Sequence, residues 1–281
     1  MARIVAVANQ KGGVGKTTTA INLAASFAAA EVACLLVDCD PQSNSTSGVG
    51  LARDPERRNT YHLISGESSA EELIQPTSLE GLFVIPASKN LIGSNVELVQ
   101  EDGREFRLRD ALQPLRSRYE FIVLDCPPAL DLLTLNALVA ADSVLIPMQA
   151  EYFAMEGVSE LLDTMERIRQ SLNPGLEIEG VVLTMYDDRT NLAQQVAAEL
   201  KAFFGDRLFA TTIPRNIRLA EAPSYGKPVL AYDPRSRGAE SYIKLAKEIM
   251  SKQAEKSIGD RSTGDRSTTD LLDAAVNGTS H

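Results

Sequence analysis

Long apolar runs are missing from this 281-residue sequence, and their absence excludes one large class of protein. No run of about eighteen apolar residues occurs, so no segment is expected to cross a membrane as a helix. The apolar stretch at the N-terminus gives way to polar residues 9–11, which is too early for a signal peptide. We therefore expect a cytoplasmic protein with no membrane partner.

Cysteine is also scarce, and the spacing of the cysteines argues against a metal site built from them. The three cysteines are Cys34, Cys39 and Cys126, and no two of them form a CxxC pair. Without such pairs, a zinc site or a cysteine-bound iron–sulfur cluster is not expected. All three lie beside apolar or acidic stretches, which is typical of buried, reduced thiols in a cytoplasmic protein.

Basic residues are fewer than acidic ones overall, but their distribution along the chain is uneven. Lys and Arg number 28 against 38 Asp and Glu, a net charge of -10, which argues against a protein coated in positive charge such as a histone-like DNA binder. Residues 1–200 hold 15 basic and 28 acidic residues, whereas residues 201–256 hold 11 and 6. On counting alone, this basic segment is typical of either a solvated helix face or a phosphate-contacting patch.

Short β-branched runs alternate with longer amphipathic or Ala-rich stretches over about 240 residues. The strand candidates are continuously apolar, as expected for a parallel sheet covered on both faces. The predicted strands are 4–8, 32–37, 82–85, 121–124, 143–146, 179–184 and 208–211, and the predicted helices are 16–30, 106–118, 132–140, 157–171, 192–204 and 239–255. This alternation predicts a doubly wound α/β fold, a mostly parallel sheet flanked by helices.

Two segments depart from this rhythm. Residues 51–75 contain charges and two Ser/Gly-rich turns, which predicts short helices and loops on the rim of the sheet. The last 25 residues contain a direct repeat of Gly-Asp-Arg-Ser-Thr at 259–263 and 264–268, in a polar context without aromatics. We therefore predict one domain over 1–256 and a flexible polar tail over 257–281, with room for a brief helix at 270–276.

A phosphate-binding loop is the most informative feature of the sequence. It follows an apolar strand, opens an Ala-rich helix, and consists of Lys11, Gly12, Gly13, Val14, Gly15, Lys16, Thr17 and Thr18. Glycines let successive backbone N–H groups turn towards an anion at a helix N-terminus. In such a loop Lys16 binds the β- and γ-phosphates and the Thr17 hydroxyl binds Mg²⁺. The strict GxxxxGK[ST] pattern is not met, because Gln10 stands where it has glycine.

Residues 11–17 resemble the deviant Walker A motif of the ParA/MinD ATPases. The resemblance implies a P-loop NTPase fold, ATP and Mg²⁺ as cofactors, and a homodimer that forms when ATP is bound. It also implies that Lys11 reaches across to the nucleotide of the partner subunit. A cation supplied in this way offsets the repulsion between two polyphosphates only in the dimer, so ATP would act as a dimerisation switch.

Two predicted strands end in carboxylates at the edge where nucleotide sites form. Asp38 and Asp40 close the second strand, and Asp125 closes the fifth. In the resembled family Asp40 matches the residue that positions the attacking water, Asp125 holds Mg²⁺ through a water, and Asp38 matches a position near the metal. Taken singly, a strand-terminal Asp is also typical of a helix N-cap, and for Asp38 both readings stay open. The resemblance further implies slow intrinsic hydrolysis stimulated by a partner.

The C-terminal third resembles one branch of the family, the chromosome-partitioning ParA/Soj type. The similar stretches are 184–190, 213–228, 232–233 and 238–242. By matching position, Pro214 and Asn216 line the adenine pocket, and Arg189 and Arg218 contact the DNA backbone. Met185 matches a position near the base but is equally typical of a core methionine.

This branch implies specific partners and a location. The first predicted strand begins at residue 4, so we expect no N-terminal helix-turn-helix and binding to double-stranded DNA without sequence preference. A ParB-like protein would recognise the cargo and stimulate hydrolysis, and the ATPase would be nucleoid-associated. A MinD-like membrane switch is one alternative, but it needs a basic amphipathic C-terminal helix, and residues 257–281 carry 2 basic and 4 acidic residues. Two further alternatives are a related ATPase that positions a plasmid or another cargo and a metabolic enzyme on the same fold.

Overall fold

The fold is built on a central β-sheet. The computed structural model describes residues 1–52, 54, 56–151 and 154–259, with the backbone alone at 155–157 and 256–259. Within these ranges the strands are β1 (Arg3–Val7), β2 (Cys34–Asp38), β3 (Gln75–Pro76), β4 (Leu82–Ile85), β5 (Phe121–Asp125), β6 (Ser143–Gln149) and β7 (Glu177–Thr184). Their order is β3-β4-β2-β5-β1-β6-β7, and every pair is parallel except β3 with β4. The prediction of a mostly parallel α/β sheet is confirmed.

Helices cover both faces of the sheet. The described helices are α1 (Lys16–Ala29), α2 (Asn44–Gly48), α3 (Thr60–Ser65), α4 (Ala70–Leu73), α5 (Ser94–Glu97), α6 (Arg107–Leu112), α7 (Leu132–Ala140), α8 (Ala154–Ser171), α9 (Asn191–Phe204), α10 (Ile217–Glu221), α11 (Val229–Tyr232) and α12 (Arg237–Gly259). Short 3₁₀ turns lie at Lys89–Gly93, Leu98–Gln100, Arg104–Phe106, Gln113–Ser117, Gly205–Arg207 and Ala222–Tyr225.

Two hydrophobic cores lie on opposite faces of the sheet. One contains buried side chains of α6, α7, α8 and α9, and the other those of α1 and α12. Strands β2 and β5 are buried along their full length, as their unbroken apolar sequences predict. On the α1 face, the rings of Phe27 and Phe121 stack with their centroids 3.9 Å apart. Close packing on both faces therefore holds the sheet rigid, including the edge at which its parallel strands end.

Two predicted elements differ in the structure. The predicted strand 208–211 is wrong: Leu208 makes only an isolated bridge to Val181, because the backbone N–H groups of Ala210 and Thr211 donate to the Glu248 carboxylate of α12 (2.8 and 3.0 Å). The predicted helix 106–118 is interrupted, since Pro114 has no N–H to donate and its ring opposes a regular helix.

The rim segment behaves as predicted but also supplies a strand. Helices α3 and α4 are short, and β3, which contains Pro76, adds an antiparallel edge to the sheet. Proline is tolerated there because an edge strand leaves one row of N–H groups unpaired. Helix α12 ends at Gly259, and the rest of the predicted tail and the predicted helix at 270–276 lie outside the described residues. None of the helices in the described ranges has the length and apolar character needed to cross a bilayer.

Candidate nucleotide site

The candidate site lies at the carboxyl edge of the sheet. Strands β1, β2, β5, β6 and β7 run parallel, so the loops that follow them meet at one edge. The phosphate-binding loop follows β1, the two aspartates of the second strand close β2, and Asp125 closes β5. The structure thus brings the predicted phosphate-binding and acidic residues together.

Backbone conformation in the loop requires glycine at two positions. Gly13 and Gly15 have φ angles of 76° and 86°, in the left-handed region that L-residues with a Cβ avoid. Gly15 stands immediately before α1, so the first N–H groups of that helix face the loop. Val14 is buried, and its carbonyl accepts a hydrogen bond from the Thr184 hydroxyl at the end of β7 (2.8 Å). The loop is therefore anchored to the sheet on both sides.

Both lysines of the loop have defined partners. The Lys16 ammonium donates to the Lys11 carbonyl (2.9 Å) and is 8% exposed. Burial lowers the pKa of Lys16, while the nearby Asp125 and Asp40 oppose that shift. The Lys11 ammonium forms an ion pair with the Glu151 carboxylate, just beyond β6 (2.6 Å). Lys11 is thus held by its own subunit in this structure.

Asp38 and Asp125 form a buried carboxylate pair. They are register partners on β2 and β5, and neither is exposed to solvent. Burial raises the pKa of Asp125 to about 8, and the Asp38 charge adds to this, whereas the hydroxyls of Ser45 and Thr17 oppose it. Burial likewise raises the pKa of Asp38 to about 6, against the hydrogen bonds from Thr46. Two such carboxylates favour a nearby cation.

The hydrogen bonds of Asp38 and Asp125 show which of the two carboxylates can still accept a ligand. Asp38 accepts from the Asp40 N–H (3.1 Å) and from both the N–H and the hydroxyl of Thr46 (2.8 and 2.7 Å). Asp125 accepts from the Ser45 hydroxyl through Oδ2 (2.6 Å), while its Oδ1 has no partner among the described residues. Asp38 is therefore occupied in holding the turn after β2, and Asp125 keeps a free acceptor.

The donor set fits Mg²⁺ once phosphates complete it. The unpartnered Asp125 Oδ1 is a hard oxygen ligand, and the Thr17 hydroxyl is close enough to lower the pKa of that carboxyl. No cluster of three His, Cys, Asp or Glu side chains in metal-binding geometry occurs in the described ranges. A divalent cation here would need nucleotide oxygens as well, which is usual for magnesium.

Asp40 lies at the start of the turn that follows β2. It is 8% exposed, and its Oδ1 accepts from the Gln42 N–H (2.8 Å) while its carbonyl accepts from the Ser43 N–H (2.8 Å). Ser43 has a φ of 51°, in the left-handed region, and directly precedes α2. The turn thus keeps the Asp40 carboxylate beside Lys16, where its charge opposes part of the lowering of the Lys16 pKa by burial.

A small pocket adjoins the phosphate loop and contains the residues predicted for the base. Its volume is about 170 Å³, and Gly15 and Thr18 form one wall and Pro214, Asn216 and Met185 another. Asn216 caps α10 by accepting from the Arg218 N–H (2.8 Å). The structure thus brings Pro214 and Asn216, the two residues predicted for the base, together with Met185, for which both readings stay open. Met185 has a φ of 50° and accepts a hydrogen bond from Gln149 at its sulfur (3.0 Å).

The two arginines predicted to contact DNA follow segments that are bridged to each other, Arg189 in the turn after β7 and Arg218 in α10. An isolated bridge joins Tyr186 to Pro214, a few residues before Arg189 and Arg218 respectively. Arg189 is 84% exposed and forms a two-pronged pair with Asp187 (2.8 and 2.6 Å). Arg218 pairs with two carboxylates, Glu221 (2.9 Å) and Asp233 (3.2 Å). Glu221 is the main cause that raises the pKa of Arg218, with smaller contributions from Tyr232 and Asp233.

Sequence reasoning missed several residues of this edge. Ser45 and Thr46 contact the buried carboxylates, and Gln149 and Glu151 contact the phosphate loop. Gln149 is the last residue of β6 and Glu151 lies just beyond it, so the rule that singled out the aspartates of β2 and β5 could have found them. The two hydroxyl residues lie in a polar run after β2 that carries no comparable signal.

Known proteins resemble this chain over most of its length. The family model described as an AAA domain matches residues 2–178. The chromosome partitioning protein ParA of Myxococcus xanthus is 53% identical over 255 residues, which cover 91% of this chain and 90% of that protein. The sporulation initiation inhibitor protein Soj of Bacillus subtilis is 51% identical over 249 residues, covering 89% and 98%.

A solved structure extends the likeness to three dimensions. The cobyrinic acid a,c-diamide synthase of Mycobacterium smegmatis, crystallised with ADP and magnesium, is 33% identical, with a TM-score of 0.77 over 88% of this chain and 93% of that one. The likeness to the partitioning proteins is closer in sequence and spans nearly their whole length. On this footing, the chain belongs to the ParA/Soj family of chromosome-partitioning ATPases.

Proposed function

We propose that this protein is an ATP-dependent DNA segregation ATPase whose nucleotide state controls its hold on DNA. In its ATP form it dimerises and binds double-stranded DNA without sequence preference. A ParB-like partner then stimulates hydrolysis to ADP and phosphate, which releases the dimer. The observation that carries the proposal is the phosphate loop with two lysines, set against the buried pair Asp38 and Asp125 at one sheet edge.

Each residue of the nucleotide site has a role in this proposal. Backbone N–H groups from Gly12 to Thr18 bind the phosphates, and Lys16 exchanges the Lys11 carbonyl for phosphate oxygens. Thr17 would hold Mg²⁺, as would Asp125, which the family resemblance implies acts through a water, and the ion would neutralise phosphate charge. Asp40 orients the attacking water, and Asp38 positions the turn that carries Asp40. Pro214 and Asn216 flank the adenine.

Lys11 makes the site dependent on a second subunit. Its pair with Glu151 is exposed, since the two side chains are 36% and 51% accessible, and such pairs are weak and screened by salt. A facing nucleotide carries several negative charges and competes well for the ammonium. Lys11 therefore leaves Glu151 for the nucleotide of the partner subunit, and without this transfer the slow hydrolysis does not proceed.

DNA binding draws on the C-terminal part of the chain. Arg189 and Arg218 contact the DNA backbone, and the excess of 11 basic over 6 acidic residues in 201–256 supplies further attraction. A dimer presents this surface twice, which raises the effective affinity without new contacts in either subunit. The acidic remainder of the chain attracts a basic segment of the partner. The protein is therefore cytoplasmic and nucleoid-associated in its ATP form.

An electrophoretic shift with non-specific duplex DNA tests the proposal. Binding is expected with ATP and Mg²⁺ and not with ADP or without nucleotide, and it should weaken steeply as salt rises. Equal binding in all three nucleotide states would overturn the ATP switch. Absence of DNA binding together with binding to anionic vesicles would favour the membrane alternative.

Two variants separate hydrolysis from DNA contact. Asp40→Ala should bind ATP, dimerise and stay on DNA while hydrolysis stops. Arg218→Glu should lose DNA affinity and keep ATP-dependent dimerisation, measured by light scattering. If Arg218→Glu also fails to dimerise, Arg218 serves the subunit interface or the fold and not DNA.

A further inference from the structure

The short helix α2 is hydrogen-bonded to the buried carboxylates of the nucleotide site. Its Ser45 hydroxyl donates to Asp125 (2.6 Å), and the hydroxyl and N–H of Thr46 donate to Asp38 (2.7 and 2.8 Å). The helix also follows directly on the turn that carries Asp40. A change of charge at these carboxylates, such as a bound cation would bring, therefore acts directly on α2.

Helix α2 has no long side chains, so its backbone lies close to its neighbours. Residues 43–50 read Ser-Asn-Ser-Thr-Ser-Gly-Val-Gly. A Cβ added to Gly48 would lie 2.5 Å from the Ile21 Cδ1 of α1 and 3.8 Å from the Pro223 Cβ. The helix thus lies between α1 and the 3₁₀ turn Ala222–Tyr225, and packing this close leaves it no room to shift unless one of them moves.

Two glycines bring the chain after α2 against the chain after that 3₁₀ turn. Gly50 and Gly226 have φ angles of 94° and 63°. A Cβ added to Gly226 would lie 2.9 Å from the Gly50 Cα, and one added to Gly50 would lie 2.9 Å from the Gly226 carbonyl oxygen. Because neither residue has a side chain, the two backbones touch with no flexible group between them to absorb a displacement. We call this the Gly50–Gly226 contact.

The 3₁₀ turn on the far side of the contact is continuous with the helix that carries Arg218. Helix α10 runs directly into Ala222–Tyr225, and that turn ends at Gly226. A few residues later, the Val229 N–H donates to the Asn22 side chain of α1 (2.7 Å). The segment is thus fastened to α1 after the contact and touches α2 at the contact. A shift of α2 relative to α1 would therefore displace Gly226 and reorient α10.

We propose that the Gly50–Gly226 contact couples the nucleotide site to the DNA-binding surface, so that the nucleotide state sets the position of Arg218. Helix α2 passes on the state of the buried carboxylates, and α10 responds to it. Both glycines are positioning residues, which act through Arg218 and not on DNA themselves. This inference rests on the proposed function, since it requires that the ATP form binds DNA.

Gly226→Ala tests the coupling by placing a methyl group between the two backbones. The full chain is titrated with a fluorescent non-specific duplex at low salt, once with Mg²⁺ and a non-hydrolysable ATP analogue and once with Mg²⁺ and ADP. The substitution should reduce the ratio of the two DNA affinities at least about fivefold, the low end of usual allosteric couplings. Dimerisation with the analogue, measured by light scattering, should persist.

Gly103→Ala is the matched control. Gly103 has a φ of 69°, close to that of Gly226, but nothing lies within 4 Å of an added Cβ. The variant therefore carries a similar backbone penalty without the contact and should leave the affinity ratio unchanged. Gly50→Ala enters the contact from the other side and should reduce the ratio as Gly226→Ala does. The two effects should not add in the double variant, because both interrupt the same coupling.

Amide hydrogen exchange of the parent protein gives a measurement that does not depend on how well the variants fold. The N–H groups of Gly226 and Lys227 donate to carbonyls of the 3₁₀ turn (3.0 and 3.2 Å) and report on its state. Replacing ADP by the ATP analogue should change the protection of residues 222–228 in the absence of DNA. Unchanged protection of these residues overturns the coupling.

The remaining outcomes also overturn either the coupling or the proposed function. Equal losses of DNA affinity in both nucleotide states mean that the contact only supports α10, which overturns the coupling. An equal effect of Gly103→Ala, additive effects in the double variant, or loss of dimerisation in Gly226→Ala overturns it as well. Equal DNA binding by the parent protein in both nucleotide states defeats the proposed function itself. Failures confined to the variants leave the proposed function standing.

Discussion

At the scale of single residues, the nucleotide site contains two buried carboxylates whose ionisation destabilises the folded protein. Asp38 and Asp125 sit side by side with no exposure, and burial raises the pKa of both above the ordinary value of 3.8, to about 6 and about 8. A carboxyl whose pKa is raised on folding favours the folded state fully below its unfolded pKa, and this contribution is lost as the pH rises through the folded pKa. The contribution of these two groups to the stability of the nucleotide-free protein therefore falls as the pH rises from about 4 to about 8.

Asp125→Asn should remove that penalty. Without nucleotide, the variant should melt a few degrees above the parent protein at pH 8, and the difference should shrink at pH 5, where the parent carboxyl is protonated. Ser45 can still donate to the amide oxygen. Calorimetry at both pH values measures this, with Asp163→Asn on the surface of α8 as control. A difference that does not vary with pH would point to packing instead.

Substitutions of the two lysines of the phosphate loop should separate ATP binding from dimerisation. Lys16→Ala removes hydrogen bonds to charged phosphates, worth about 1.5–3 kcal/mol, so ATP affinity should fall on the order of a hundredfold. Lys11→Ala breaks only an exposed pair with Glu151, so ATP binding to the monomer should persist while dimerisation and hydrolysis fail. Titration with a fluorescent ATP analogue and light scattering measure these properties. Tight ATP binding by Lys16→Ala would defeat the phosphate-loop assignment.

At the scale of elements, the phosphate loop depends on glycine unequally. Gly15 has a φ of 86°, whereas Gly12 is outside the left-handed region and has nothing within 4 Å of an added Cβ. Gly15→Ala should therefore cost about 1–2 kcal/mol of folding stability, the usual penalty for a left-handed residue with a Cβ. Gly12→Ala is the matched comparison and should leave the denaturation midpoint nearly unchanged. Equal losses would mean that the loop relaxes around both substitutions.

Much of this architecture could be predicted because its signals are local. Continuous apolar runs that end in Asp gave β2 and β5 nearly to the residue, and the lysine- and glycine-rich loop located the start of α1. The predicted strand at 208–211 failed because Glu248, about forty positions away, takes the N–H groups that a strand would pair. Ser45 eluded prediction for the same reason, since only the register of β2 against β5 brings it to Asp125.

At the scale of the whole molecule, the net charge of -10 includes carboxylates that compete with DNA phosphates for the arginines of the chain. The arginines proposed to contact DNA are each held by carboxylates of the same chain, Arg189 by Asp187 and Arg218 by Glu221 and Asp233. A two-pronged carboxylate occupies the guanidinium much as a phosphate would. DNA must therefore displace these carboxylates, which weakens binding by a single subunit and increases the dependence on a dimer.

Glu221→Gln should accordingly strengthen DNA binding. The substitution releases one of the two carboxylate partners of Arg218, and the affinity of the ATP form for non-specific duplex should rise about two- to fivefold at low salt. Glu199→Gln on α9 changes the net charge equally but removes a carboxylate that accepts from Gln195 and not from an arginine. It should therefore have a smaller effect. Because the competition is ionic, the advantage of Glu221→Gln should fade as salt rises, and equal gains for both variants would show that only net charge matters.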